Sequence, residues 1–158
     1  MPVSMNVRSD IRAEDIQLVR RLTAECGYFS EAEVDVAVEL IEEACKRGEK
    51  ASGYHFLFVD PLAYACYGPI ACTRASYDLY WIVTGIEYQN RGIGGNLLAE
   101  VEQQIAKLGG QRIYIETSGS DLYAPTREFY QRRGYSLAAE FPGFYDEGDD
   151  KLVYVKLL

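Results

Sequence analysis

Apolar residues recur at helical spacing in some stretches of the chain and alternate with polar ones in others. Ile16, Val19 and Leu22 fall on one side of a helix predicted over residues 13–26, with Gly27 placed to end it. The next helix begins where Ser30 and Glu33 have capping-box spacing. Val34, Ala37, Val38, Ile41 and Ala44 form its apolar stripe, and Gly48 closes it. A third stripe joins Ile93, Leu97, Val101, Ile105 and Leu108 and stops at Gly109-Gly110. A shorter helix is predicted from Pro125, suited to a first turn, to Arg133, with Gly134 as its cap.

Strands are predicted over residues 6–8, 54–59, 62–67, 77–84, 112–116, 135–141 and 151–157, with Asp60-Pro61 as the turn between the second and third. Strict alternation over 77–84 puts Asp78, Tyr80, Ile82 and Thr84 on one face and Leu79, Trp81 and Val83 on the other. The resulting order, β-α-α-β-β-β-α-β-α-β-β, predicts an α+β fold. Its central sheet is mixed and mostly antiparallel, with helices on its faces, and not the all-parallel doubly wound type.

Composition narrows the function classes. The 158 residues suit one domain, and 48% hydrophobic types suffice for a core. Sixteen Lys and Arg against 24 Asp and Glu give a net charge of −8, which argues against binding nucleic-acid backbones or anionic membranes. No stretch approaches the ~20 apolar residues that span a bilayer, and Met1-Pro2-Val3-Ser4-Met5-Asn6 does not read as a secretory leader. Cys26, Cys45, Cys66 and Cys72 form no CxxC pair and have His55 as the lone histidine, so no metal site is expected and the chain reads as a cytoplasmic thiol protein. Neither Cys66 nor Cys72 has a nearby basic cluster in the sequence, and both are expected to be small buried hydrophobes. His55, in Tyr54-His55-Phe56, is expected to be structural or an acceptor-site wall.

The most informative stretch is Thr84-Gly85-Ile86-Glu87-Tyr88-Gln89-Asn90-Arg91-Gly92-Ile93-Gly94-Gly95, a strand end, a glycine-rich turn and a helix start. Unpaired N–H groups and the positive end of the helix dipole make such a turn an anion site. A Walker loop would need Gly-Lys-Ser/Thr, and a dinucleotide fingerprint would need a third glycine where Leu97 stands. The pattern Q/R-x-x-G-x-G/A is matched at every fixed position by Gln89, Gly92 and Gly94. Farther on comes Phe129-Tyr130-Gln131-Arg132-Arg133-Gly134-Tyr135, an aromatic pair, a basic helix end, a cap glycine and an aromatic that opens a strand.

With these two motifs in this order and a strand between them, the sequence resembles the GNAT family of acyl-CoA-dependent N-acetyltransferases along nearly its whole length. The resemblance implies a single GNAT-like domain over residues 1–158 with acetyl-CoA as cosubstrate. It places the coenzyme A pyrophosphate on Gln89, Asn90, Arg91, Gly92, Ile93, Gly94 and Gly95. It assigns further coenzyme contacts to Ile82, Val83 and Thr84, where the family's strand bulges and a main-chain N–H holds the thioester oxygen, and to Tyr123, Thr126, Phe129 and Arg132. Two positions depart from the family pattern: Tyr123 stands where an Asn is common, and Ile86 where a Pro is common.

Amide formation from a thioester needs a base for the amine and an acid for the departing thiolate. The resemblance makes Tyr130 that acid, since a phenol with a reference pKa of about 10 is protonated at neutral pH. It places the base at Asp78, with Glu116, at the end of the next strand, as the rival. Residues 141–150 read as a long acidic and aromatic loop, of the kind that helps form the family's acceptor site, with Asp146, Asp149 and Asp150 able to attract a cationic amine or to serve as a solvated turn. The acceptor is read as a small-molecule amine, a small cationic one favoured, or a peptide amine. A regulatory acyl-CoA-binding module without turnover is the alternative from a different class, and an unrelated nucleotide-binding domain a third. Dimers are frequent in the family, and no residue pattern decides for or against a homodimer.

Overall fold

The computed structural model describes residues 5–158, so the reading of the first four residues as part of a leaderless start lies outside it. The helices are α1 (Asp15–Glu25), α2 (Glu31–Arg47), α3 (Glu49–Ser52), α4 (Ile93–Lys107) and α5 (Ala124–Arg132). The strands are β1 (His55–Val59), β2 (Ala63–Pro69), β3 (Ser76–Thr84), β4 (Arg112–Ser118), β5 (Ser136–Asp146) and β6 (Asp149–Leu157). They form a six-stranded sheet in the order β1-β2-β3-β4-β6-β5. The β1/β2, β4/β6 and β5/β6 ladders are antiparallel and β3/β4 is parallel, giving the mixed α+β architecture expected. By its contacts the chain groups into two units, Met1–Gly68 with Trp81–Gln103, and Pro69–Tyr80 with Gln104–Leu158.

In the first unit, the capping box predicted for α2 is present: Ser30 Oγ accepts from Glu33 N–H, and Glu33 Oε1 from Ser30 N–H, each at 3.2 Å. The apolar stripes of α1 and α2 meet the inner residues of β1 and β2 in a core that includes Val19, Leu22, Val38, Ile41, Phe56, Phe58, Tyr64 and Val83. Fully burying a side chain such as Leu22 or Ile41 stabilises the fold by roughly 1.5–3 kcal/mol. The Tyr64 hydroxyl is buried with them and finds the Thr23 hydroxyl at 2.6 Å, so its desolvation is compensated.

In the second unit, β4 buries Ile113, Ile115 and Thr117, and β6 buries Leu152 and Tyr154. Residues of the opposite face (Asp78, Tyr114, Lys151, Val153 and Val155) are half-buried. The parallel β3/β4 ladder is short, running from Ser76 with Arg112 to Asp78 with Tyr114.

Four elements differ from expectation. The strand over residues 6–8 reduces to a single bridge between Arg8 and Phe58. Its place is held by the Arg8 guanidinium, which donates to Asp15 at 2.7 and 3.0 Å and to Asp60 at 2.7 and 2.9 Å. Beyond Gly48 the chain adds the short α3 before the first strand. Leu108 lies past the end of α4 and is exposed, not part of its buried stripe. Residues 141–150 are not a long loop: β5 continues through Pro142 and Gly143 to Asp146, with an irregular register after Phe141, and the hairpin turns tightly at Glu147-Gly148.

Strand β3 carries one further irregularity. Ile70 N–H donates to Ser76 O, and Gly85 N–H donates to Leu62 O, so nine residue steps along β3 answer eight along the preceding chain. One extra residue is therefore accommodated in β3, which breaks the strict alternation predicted from Asp78 to Thr84.

Candidate active site

The first unit holds the glycine-rich turn. A 3-10 turn (Ile86–Tyr88) follows β3, and Gln89 donates its side-chain amide to Thr84 O at 3.2 Å, folding the turn back on the strand end. Asn90 and Gly92 have φ of 63° and 82°. A side chain at Gly92 would be strained by that φ even though nothing lies within 4 Å of where its Cβ would stand. Helix α4 then starts at Ile93, and the N–H of Asn96 donates to Gly92 O at 3.1 Å. The N–H groups of Ile93, Gly94 and Gly95 precede that bond, at the positive end of the helix. Arg91 adds a cation close by, its guanidinium 5.9 Å from the Tyr88 ring centre. Ile82 and Thr84 are half-buried and Val83 is buried. These residues fit a pyrophosphate: open backbone, little side-chain bulk and local positive charge in an acidic chain.

The second unit holds Tyr130, and the sequence around it explains its setting. Helix α5 ends in a Schellman motif, in which Tyr135 N–H donates to Tyr130 O at 3.1 Å and Gly134 N–H to Gln131 O at 3.2 Å. Gly134 has the positive φ, 90°, that the motif requires. The Tyr130 ring packs edge-on against Phe129 and Tyr135, with centroids 5.3 and 5.7 Å away. Only 5% of Tyr130 is exposed. Burial pushes its phenol above the ordinary value, so it is protonated at neutral pH.

The two candidate carboxylates also lie in the second unit, and their surroundings differ. Asp78 is opposite Tyr114 in the β3/β4 ladder, and Glu116 follows two residues later on β4, so both face the same side of the sheet. Burial, and secondarily the Glu116 charge, raise the Asp78 carboxyl from its ordinary 3.8 to about 6, against the lowering effect of Lys151. Glu116 is more than half exposed, and its Oε1 is paired with Lys151 Nζ at 3.1 Å. A carboxylate near 6 suits proton abstraction at neutral pH better than one held in an ion pair.

Other expected site residues are placed as follows. Tyr123 ends a 3-10 turn (Asp121–Tyr123) that leads into α5, and Thr126 and Phe129 are half-buried on that helix. Arg132 is exposed and paired with Glu128 at 2.6 Å. Neighbouring Arg133 is the one whose guanidinium stacks on Phe129, at 3.8 Å from the ring centre. The acidic residues near the hairpin are engaged as structural acceptors: Asp149 accepts from Ser118 Oγ, Asp150 from Gly143 N–H and Asp146 from Glu147 N–H. Arg127, which the sequence reading passed over, donates to the carbonyls of Ser118 at 2.9 Å and Ser120 at 2.7 Å and fixes the chain after β4. Lys151, which the sequence marks only as the start of a strand, is the partner of Glu116 on this face.

In the first unit His55 pairs with Glu49 at 3.4 Å and stacks on Tyr67 at 5.3 Å. Cys66 is fully buried with its thiol pushed up by burial, whereas Cys72 of the second unit is exposed in a turn at φ 65° and so is not the buried hydrophobe expected. Among the described residues no group of His, Cys, Asp and Glu could hold a metal ion, and no helix is long and apolar enough to cross a membrane.

Comparison with known proteins identifies the family and the fold. Residues 16–135 match the acetyltransferase (GNAT) family. The crystal structure of a GNAT-family protein from Desulfovibrio desulfuricans superimposes with a TM-score of 0.94 at 43% identity, covering 98% of this chain and 99% of that one. An aminoglycoside 6′-N-acetyltransferase complexed with coenzyme A superimposes with a TM-score of 0.74 at 17% identity, over 97% of both chains. The ribosomal-protein-S18-alanine N-acetyltransferase from Escherichia coli gives 0.73 at 18%, over 96% of this chain and 92% of that one. The Bacillus subtilis protein YdhI is 43% identical over 54 residues, which span 34% of this chain and 32% of YdhI.

Proposed function

Because this chain belongs to the GNAT family of acetyltransferases, we propose that it moves an acetyl group from acetyl-CoA directly onto a primary amine, with residues 1–158 acting as one N-acetyltransferase domain. The observation that carries this reading is the start of α4, where three backbone N–H groups precede the bond from Asn96 to Gly92 in a turn with little side-chain bulk. In this reading Gln89, Asn90, Arg91, Gly92, Ile93, Gly94 and Gly95 hold the pyrophosphate. Main-chain groups of Ile82, Val83 and Thr84 serve the pantetheine and the thioester oxygen, and Tyr123, Thr126, Phe129 and Arg132 supply contacts from α5 and the turn before it.

The amine attacks the thioester carbonyl as the free base. As the C–N bond forms, the nitrogen becomes acidic, and Asp78, ionised above about pH 6, accepts its proton. The C–S bond then breaks, and Tyr130 gives its proton to the departing sulfur, so that the products are the acetamide and coenzyme A thiol. Exchange with solvent returns a proton to Tyr130 and removes one from Asp78. A module that only bound acyl-CoA would need neither group.

The acceptor is taken to be a small cationic amine, because the chain carries a net charge of −8 and Asp78 lies on a half-buried face. The aminoglycoside and ribosomal-protein enzymes share the fold at under 20% identity while acting on unlike acceptors, so the fold itself does not choose between a small-molecule and a peptide amine. The test is thiol release from acetyl-CoA across a panel of amines and peptides, with Tyr130→Phe as the comparison. Turnover is expected to fall on the order of 10²-fold in the variant, while acetyl-CoA affinity stays unchanged. Saturable acetyl-CoA binding with no thiol release for any amine supports the regulatory module instead.

A further inference from the structure

The half-buried face of the second unit's sheet contains an ammonium group held in a box. Lys151 lies opposite Ser118 on β4 and opposite Phe141 on β5, so its side chain shares the face of Glu116 and Asp78. Its Nζ is 3.1 Å from Glu116 Oε1, 4.5 Å from the Phe144 ring centre and 5.7 Å from that of Phe141. Its side chain is only 17% exposed, while that of Glu116 is 55% exposed. A solvated surface pair would leave both partners exposed. Here two rings and a carboxylate surround the cation, and cation–π contact with the two exposed rings adds modestly to the hold.

We propose that Lys151 is a positioning residue for the reaction: clamped by Glu116, Phe141 and Phe144, it fixes the charge around Asp78 and so sets the pH at which that base becomes available. This rests on the reading of Asp78 as the base. Among the described residues the charges acting on Asp78 are the Glu116 carboxylate on β4 and the Lys151 ammonium on β6; its titratable neighbours are Tyr114, its ladder partner on β4, and Tyr77 and Tyr80 on β3. Glu116 alone would oppose ionisation of Asp78, and Lys151 offsets it, as the opposite directions of their influence require. Without Lys151, Asp78 would keep its proton to higher pH, and a smaller share of it would be ionised near neutrality.

The experiment follows two readouts in Lys151→Met, Lys151→Arg and Glu116→Gln. One is the midpoint of the acidic limb of kcat/KM. The other is the Asp78 carboxyl titration, followed by NMR on protein carrying carbon-13-labelled aspartate and assigned with Asp78→Asn. Lys151→Met is expected to move both midpoints up by about one pH unit, Glu116→Gln to move them down, and Lys151→Arg to leave them near the parent values. Unmoved NMR midpoints in Lys151→Met and Glu116→Gln, with thermal unfolding showing both variants folded, overturn the proposal. If Lys151→Met is not folded, Lys151→Gln takes its place, with the same upward move of both midpoints expected. NMR midpoints that move while the kinetic limb stays put uphold the role of Lys151 in the charge around Asp78 and remove Asp78 as the base.

Discussion

Asp78, the base of the proposed reaction, opposes stability through its burial. Its native carboxyl titrates at about 6 against an ordinary 3.8, mainly because burial disfavours the charge. Below 3.8 it is protonated in both folded and unfolded chains and costs nothing. Between 3.8 and about 6 the unfolded chain ionises first, so stability falls as pH rises, and above about 6 the loss is complete. Asp78→Asn, which has no charge to lose, is therefore expected to gain stability over the parent progressively across that window and to hold the gain above it. Denaturant unfolding of both proteins from pH 3.5 to 7.5, in steps of about half a unit, checks this, and a difference that does not change with pH contradicts it. At this scale the sequence was informative where a motif fixes the position, as at Tyr130 and Gly92. It was uninformative about Lys151, whose contacts depend on strand register and on two rings ten and seven positions away.

Among the elements, α5 is the one whose ends matter most to the site. Its C-terminus is closed by the bonds from Tyr135 to Tyr130 and from Gly134 to Gln131, so the motif that orients the Tyr130 backbone depends on the φ of 90° at Gly134. An added Cβ there would meet Lys156 Cε at 3.5 Å, an ordinary contact, so the penalty of Gly134→Ala is conformational. It is expected to cost about 1–2 kcal/mol, read as a lower thermal midpoint, and to slow turnover more than it weakens acetyl-CoA binding. The helices were legible because capping residues and apolar stripes are local signals, and the Ser30–Glu33 box and Gly134 cap both form as spaced. The hairpin over residues 141–150 was not, since Pro142 and Gly143 punctuate a strand that tertiary pairing with β6 nevertheless carries through. The extra residue in β3 is likewise invisible in a pattern of alternating residues, because only its partner strand reveals the count.

For the whole chain, the net charge of −8 says nothing in favour of an anionic cosubstrate. The case for acetyl-CoA comes from a local field, the amide groups at the start of α4 with Arg91 beside them, and from membership of a family matched over residues 16–135. Two motifs in order pointed to the family, but the choice of acceptor lies in residues that carry no such pattern. The most direct test is calorimetric titration of the purified protein with acetyl-CoA, with ATP and NAD as controls, followed by addition of an amine panel. Saturable binding of acetyl-CoA alone, lost in Gly92→Val and retained in Tyr130→Phe, with thiol release on adding an amine, is the predicted result. Absence of acetyl-CoA binding, or equal binding of ATP, would contradict the account at its root.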